Sequence, residues 1–285
     1  MNRKIIVNHK EFKMEKMSAD TYMEYLELAE QIDAATSERA SKRYSRQEIE
    51  AMMLFICKAY GNQFTVDELK DAESGLDAAG IVIEFNMIDM GIAEEMNKRM
   101  DKMMKNFSEW QVIPEITITC STGKVFINNI TVEQYKKYAA LMEKNGSDKI
   151  TDALFFNKRI IQEIFGNRMS LDELGEVDVI EFLTASKGIH FIMQDIVSDA
   201  LLNIVETEPI ERETSAFDEY DRENGYEDEE QEEQNTWKIC GEIVDRVTKI
   251  AIRLMRESYG QCMKENIIEL LKYLKFELET VNENT

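Results

Sequence analysis

Side chains that could do chemistry are few apart from the carboxylates. The chain has two histidines, His9 and His190, and four cysteines, Cys57, Cys120, Cys240 and Cys262. A histidine acts as a base or a metal ligand when a carboxylate, a thiol or a second histidine stands within reach. His9 falls in "VNHKEF", which reads as a hairpin turn, and His190 in the apolar helical run "GIHFIM". Neither has a cysteine or aspartate at ligand or triad spacing, and HExxH, GxSxG and the EF-hand loop are absent. The cysteines show no CxxC spacing, so they read as reduced thiols in small apolar sites, not as a disulfide frame or a zinc centre. The chain holds 56 acidic residues, so a pair of carboxylates could be found by chance, and catalysis would need one buried and shifted in pKa. The expectation is a protein with no catalytic residues, no cofactor and no metal.

The chemistry that the residue types do suggest is adaptable apolar binding. In "MIDMGIAEEMNKRMDKMMKNF", Met96, Met100, Met103 and Phe107 follow i, i+4, i+7, i+11 and share one helical stripe. Methionine is flexible and polarizable, and it serves both gap-filling in cores and surfaces that accept varied partners. These four residues are the candidate partner-binding set, with packing inside the unit as the competing use.

The elements that would position this stripe recur. "YGNQFTVDEL" (Tyr60 to Leu69) is echoed by "FGNRMSLDEL" (Phe165 to Leu174), and "MSADTYMEY" (Met17 to Tyr25) by "ITVEQYKKY" (Ile130 to Tyr138). Each of the latter pair follows an alternating apolar hairpin, "RKIIVNHKEFKM" or "EITITCSTGKVFI". The spacing between copies falls from 113 residues at Tyr22/Tyr135 to 105 at Gly61/Gly166, so the first copy carries eight extra residues. This order implies an internal duplication. Ser18 and Thr131 are placed to cap the first helix of each copy, and "SRQE" (Ser45 to Glu48) has the form of a capping box. Gly61 and Gly166 would end a helix, Phe64 and Met169 would plug the turn, and Thr65 would restart the chain as a short capped turn. "YGN" lacks the spacing of a phosphate loop.

The predicted fold is mainly α (α+β), in four parts. Residues 1–108 form a first unit of a β-hairpin plus about three helices, and 112–205 a diverged copy. Residues 206–235 form an acidic flexible linker, and 236–285 a C-terminal helical hairpin. The only two prolines, Pro114 and Pro209, stand at two of these boundaries. In the last segment, Trp237, Ile239, Ile243, Val247, Ile250 and Leu254 keep helical spacing, and "YGQCMKENII" (Tyr259 to Ile268) faintly repeats the "YGN" segment. The second helix of that hairpin is expected over 263–281.

Net charge is −22, which disfavours phosphate contacts with nucleic acid. Glu206 to Gln234 carries fourteen acids and two arginines, so −12 of that charge lies in one short stretch with too few apolar residues for a core. No apolar run approaches the ~18 residues needed to span a bilayer. The N-terminal segment "MNRKIIVNHK" lacks the apolar stretch of a secretory signal.

Taken in order, "KIIVNHKEFKM", "TYMEYLELAEQID", "YSRQEIEAMMLFICKAYGNQFTVDEL" and "GLDAAGIVIEFNMIDMGIAEEM", from Lys4 to Phe107, resemble the tail assembly chaperones of long-tailed (siphovirus-type) phages of Gram-positive bacteria. The resemblance implies a non-catalytic helical protein that binds the tape measure protein, keeps its long apolar helices soluble and helps recruit tail tube subunits. It further implies action in the host cell cytoplasm and absence from the mature virion, with self-association as an added expectation and no nucleic-acid or membrane partner. The rival reading is an acidic DNA mimic acting on a host nuclease or regulator. A mimic spreads its carboxylates over a rigid face, whereas here much of the excess sits in the linker.

Overall fold

The computed structural model describes residues 3–14, 16–41, 43–105, 116–121, 123–127, 129–144, 150–164, 168–201, 229–255 and 258–273. The fold is mainly helical with two small antiparallel hairpins. Strands β1 (Lys4–Val7) and β2 (Lys10–Lys13) pair across a two-residue turn. Asn8 and His9 take φ of 52° and 58° there, the left-handed pair that suits the twist of a tight hairpin. Helices α1 (Ala19–Ser37), α2 (Arg46–Ala59), the one-turn α3 (Val66–Leu69) and α4 (Ala78–Lys105) follow.

The same order then returns: β3 (Ile116–Cys120), β4 (Gly123–Ile127), α5 (Val132–Met142), α6 (Ile150–Ile164), α7 (Leu171–Gly175) and α8 (Val179–Phe191). Helix α8 widens into π geometry over Ile192–Ser198. There the Ser198 hydroxyl donates to the Met193 carbonyl at 2.8 Å and meets the buried Tyr135 hydroxyl at 2.7 Å. The C-terminal part comprises α9 (Glu229–Met255), the one-turn α10 (Tyr259–Cys262) and α11 (267–273).

One-turn helices are not stable alone, because nucleation fixes several residues for a single hydrogen bond. Three of them form here because each opens on a reciprocal capping box: Thr65 with Glu68, Ser170 with Glu173 and Ser258 with Gln261. Each also drives one fully buried residue into the core, respectively Leu69, Leu174 and Cys262. In all three, the carbonyl of that residue accepts from the residue just before the next helix cap: Leu76, Val177 and Glu265.

The three parts are joined by a repeated backbone exchange at helix starts. Ser18, the cap of α1, lies opposite Asp178, the cap of α8. Across this pair Ala19 N–H donates to the Val177 carbonyl at 2.9 Å, and Val179 N–H donates to the Met17 carbonyl at 2.8 Å. Thr131, the cap of α5, lies in the same way opposite Asn266, whose side chain accepts from Ile268 N–H at the start of α11. Here Val132 N–H donates to the Glu265 carbonyl at 3.1 Å, and Ile267 N–H to the Ile130 carbonyl at 2.9 Å. Buried residues form one continuous core from Ile5 to Leu271. Tyr22, Tyr25, Tyr135 and Tyr138 are all buried in it.

Several boundaries differ from the sequence reading. Helix α1 runs to Ser37, through the helix-tolerant "DAATS". Helix α9 starts at Glu229, seven residues before the expected Thr236, and its first acids suit the positive end of the helix dipole. The two C-terminal helices are not a simple hairpin, since α10 stands between them and the later one begins at 267 rather than 263. "YGQC" therefore matches the short helix after the "YGN" turn, not the turn itself. Gly166, the stretch 202–228 of the expected linker and 274–285 lie outside the described residues.

The first junction carries an ion pair that tests its energetics. Lys158 is 5% exposed, and its ammonium pairs with Asp20 in the first turn of α1. Removing one partner from a buried pair leaves the other uncompensated, whereas an apolar isostere removes the desolvation cost with it. Asp20→Ala should therefore lower stability by about 1–2 kcal/mol, tempered by Asp20's partial exposure, and Lys158→Met by less. Urea denaturation of both variants checks the order.

Candidate partner-binding face

Helix α4 carries the methionine stripe. Asp77 precedes it and accepts from Gly80 N–H at 2.7 Å, which anchors the first turn. At 28 residues the helix is ~42 Å long. Its first half lies on its own unit through Ile81, Phe85, Ile88 and Ile92, all buried. A polar clamp holds this half in place: Glu84 accepts from Arg3 through two nitrogens, at 2.6 and 2.9 Å, and from the Tyr60 hydroxyl at 2.7 Å.

The second half runs beyond that core and meets the second unit. Met96 is buried at 7% exposure, while Met100 and Met103 are half-buried. Met103 shares a cleft with Arg99, Ile116, Lys124, Glu181 and Thr184, between α4, the β3–β4 hairpin and α8. Its terminal methyl lies 3.1 Å from where a β-carbon on Gly188 would stand, a tight approach against α8. Glu181 is held at the rim by the amide and hydroxyl of Thr119, each at 2.8 Å. Of the four stripe residues, then, Met96 is buried in the core, Met103 meets the second unit, Met100 is half-buried, and Phe107 lies outside the described residues.

A second apolar row on α4 was missed in sequence. Ile83 and Met90 are 61% and 60% exposed, with Met87 between them at i+4, on the side away from the core. Leu54 of α2 is also exposed. The available signal was that "GIVIEFNMIDMGI" is apolar around most of its circumference, which in a helix that is not fully enclosed leaves a face uncovered.

The titratable groups are arranged for packing. His190 sits on α8 with Nδ1 2.7 Å from the Tyr138 hydroxyl and Nε2 2.9 Å from Asn157 Oδ1. Burial pulls its pKa down to about 4, so it is neutral at pH 7. Burial pushes the Cys57 thiol up to about 11 and raises Cys240 as well, which disfavours the reactive thiolate. Among the described residues, no group of three or more His, Cys, Asp and Glu side chains is placed to hold a metal. No helix among them is long and apolar enough to cross a membrane.

Residues 2–111 match a family model described as phage tail chaperone protein. This agrees with the resemblance carried by Lys4 to Phe107 and supports a tail assembly chaperone. No curated protein and no solved structure matches the chain.

Two outcomes follow from this geometry. Met96→Glu should destabilise by more than about 3 kcal/mol, because it places a charge in the core, while Met100→Glu should cost less than about 1 kcal/mol, as expected for a half-buried position. Thermal melting orders them. For His190, the folded pKa lies below the unfolded ~6.5. The unfolded chain therefore binds more protons between those values, and stability present above pH 6.5 is lost as pH falls toward 4. That contribution is about 3 kcal/mol. His190→Gln should flatten the fall between pH 6.5 and 4.5 in denaturation midpoints measured against wild type.

Proposed function

With a first unit that belongs by sequence to the phage tail chaperone family, we propose that this chain binds the tape measure protein, keeps its apolar helices soluble and helps recruit tail tube subunits during tail assembly. The observation that carries the reading is helix α4. It lies inside the family-matched segment and bears apolar side chains along the stripe, at buried Met96 and half-buried Met100 and Met103, and on the open side, at Ile83 and Met90. A client of long amphipathic helices needs surfaces that tolerate varied side chains, and methionine meets that need at little conformational cost. The set Met96, Met100, Met103 and Phe107 contributes through Met100 in the closed seam. Its inner members become available only where α4 parts from α8.

The recurrence of hairpin, capped helix, helix, one-turn helix and long helix supports an origin by internal duplication, with 1–108 and 112–205 as the two copies. A chain with several related units gains avidity along a long helical client. The acidic stretch ahead of α9, from Glu206, acts as a charged tether. The work is non-catalytic, takes place in the host cytoplasm, and leaves the protein out of the finished virion.

Co-expression tests this. The tape measure protein of the same phage should be insoluble alone, and soluble and co-purifying with this chain. Met100→Glu should keep the circular dichroism melt of wild type and reduce the co-purified tape measure several-fold. A tape measure protein that stays in the pellet despite abundant folded chaperone would overturn the reading.

A further inference from the structure

The backbone exchange between helix starts occurs twice, and its acceptor half occurs three times. In each part, a residue just before a helix cap donates back to the last residue of the one-turn helix: Leu76 to Leu69, Val177 to Leu174, and Glu265 to Cys262. In the second and third parts, the carbonyl of that residue and the first amide of the following helix are taken by Ala19 and Met17, or by Val132 and Ile130. In the first part the matching groups are the Leu76 carbonyl and the Ala78 N–H. Neither has a hydrogen-bond partner among the described residues, and Asp77 and Ala78 are exposed.

The helix face behind the acceptor of the second part shows the same contrast with the first. On α8 it includes Thr184, which lines a cleft with Met103 of the preceding unit, and the buried Gly188, whose β-carbon position would lie 3.1 Å from the Met103 methyl. Counting from the caps Asp178 and Asp77, the matching positions on α4 are Ile83 and Met87, with Met90 next along the same face. Ile83 and Met90 are the exposed apolar side chains described above. Among the described residues, an apolar helix face and an amide–carbonyl pair without a hydrogen-bond partner thus lie together at a helix start whose two counterparts are each seated against another helix start.

We propose that this face of the first unit, from Lys70 and Ala78 along Ile83 to Met90, is a vacant acceptor for a helix of another protein. The two donors that fill its counterparts define the chemistry of the occupant. Met17-Ser18-Ala19-Asp20 and Ile130-Thr131-Val132-Glu133 share an apolar residue, a capping Ser or Thr, a small apolar residue and an acid, at the start of an amphipathic helix. At the position where Gly175 lets Asp20 approach, the first unit carries the exposed Lys70, five residues after its capping Thr65 as Gly175 is after Ser170. Lys70 lies 2.6 Å from the exposed Asp67, and its ammonium is placed to meet the acid of the incoming helix as well. A foreign helix is favoured over a second copy because Ser18 and Thr131 are already paired within the chain, so another copy would have to break its own junction to offer either one. The assignment does not depend on which tail protein is the client, so a negative tape measure pull-down leaves it intact.

The probe is a fluorescein-labelled peptide of residues 16–38, titrated against the full chain by fluorescence anisotropy. Saturable binding is expected. Ala78→Pro should weaken it at least tenfold, because proline removes the amide donor yet suits the first position of a helix. Ile83→Glu with Met90→Glu should weaken it as much, and both variants should melt as wild type, since all three positions are exposed. If one variant fails to fold, the other decides. A peptide with Asp20→Lys should bind wild type poorly and recover on Lys70→Glu. Absence of binding at millimolar peptide, or binding that neither variant weakens, overturns the proposal. So does light scattering that shows a dimer made monomeric by Ala78→Pro, which would give the face to a second copy.

Discussion

The first amides of a helix have no partner within the helix, and a helix that starts inside a protein must find one. Here that constraint is met by setting two helix starts against each other. The caps Ser18 and Asp178 satisfy their own first turns through side chains, and the flanking residues exchange main-chain bonds. Thr131 and Asn266 do the same. The exchange sets where each unit sits on the next, since it fixes two helices at once in position and direction. It also accounts for the polarity of the array, because a helix start of one unit always meets the long-helix start of the following part.

Once that junction is set, other features follow from it. Asp20 in the first turn of α1 is brought against α7, where a β-carbon at Gly175 would fall 1.8 Å from its carboxylate, so only glycine fits. The same carboxylate lies beside Lys158, and so neutralises an ammonium that would otherwise be buried alone. The far end of α4 is directed over α8, where Met103 makes a tight approach at Gly188. A stripe that reads as a groove for clients is thereby half occupied by the chain's own second unit.

Local features of this fold were legible in sequence. Capping residues, the Asn-His turn and the paired tyrosines all depend on contacts a few residues apart, and periodicity and cap chemistry carry them. The junctions were not legible, because nothing in "MSAD" says that its main chain will pair with "EVDV" about 160 residues later. The same limit applies to Met96 and Met103: spacing shows that they share a face, but what covers the face depends on where the next unit docks. The start of α9 was misplaced for a different reason. Its first residues are acids in a stretch dominated by acids, and composition outweighed the favourable placement of negative charge at a helix N-terminus. The short helix α10 was misread because "YGQ" resembles "YGN" in letters, while Ser258 with Gln261 matches Thr65 with Glu68 in mechanism.

An array in which each unit covers the next leaves an uncovered face at its start, and repeat proteins commonly make such ends polar. The first unit follows that rule only in part. Where the occupied acceptors carry Val179 and Ile180, or Ile267 and Ile268, all buried, it carries Ala78 and Ala79, both exposed. That change removes apolar surface from the helix start and lowers the risk of unwanted association. A purely protective end would extend the same change along the helix. Instead, Ile83 and Met90 remain large, apolar and about 60% exposed, on a helix whose two neighbouring turns already hold the unit together through Phe85 and Ile88. Side chains retained there without serving the core are better explained by what they meet than by what they stabilise. On that argument the first unit presents an acceptor face rather than a purely protective one.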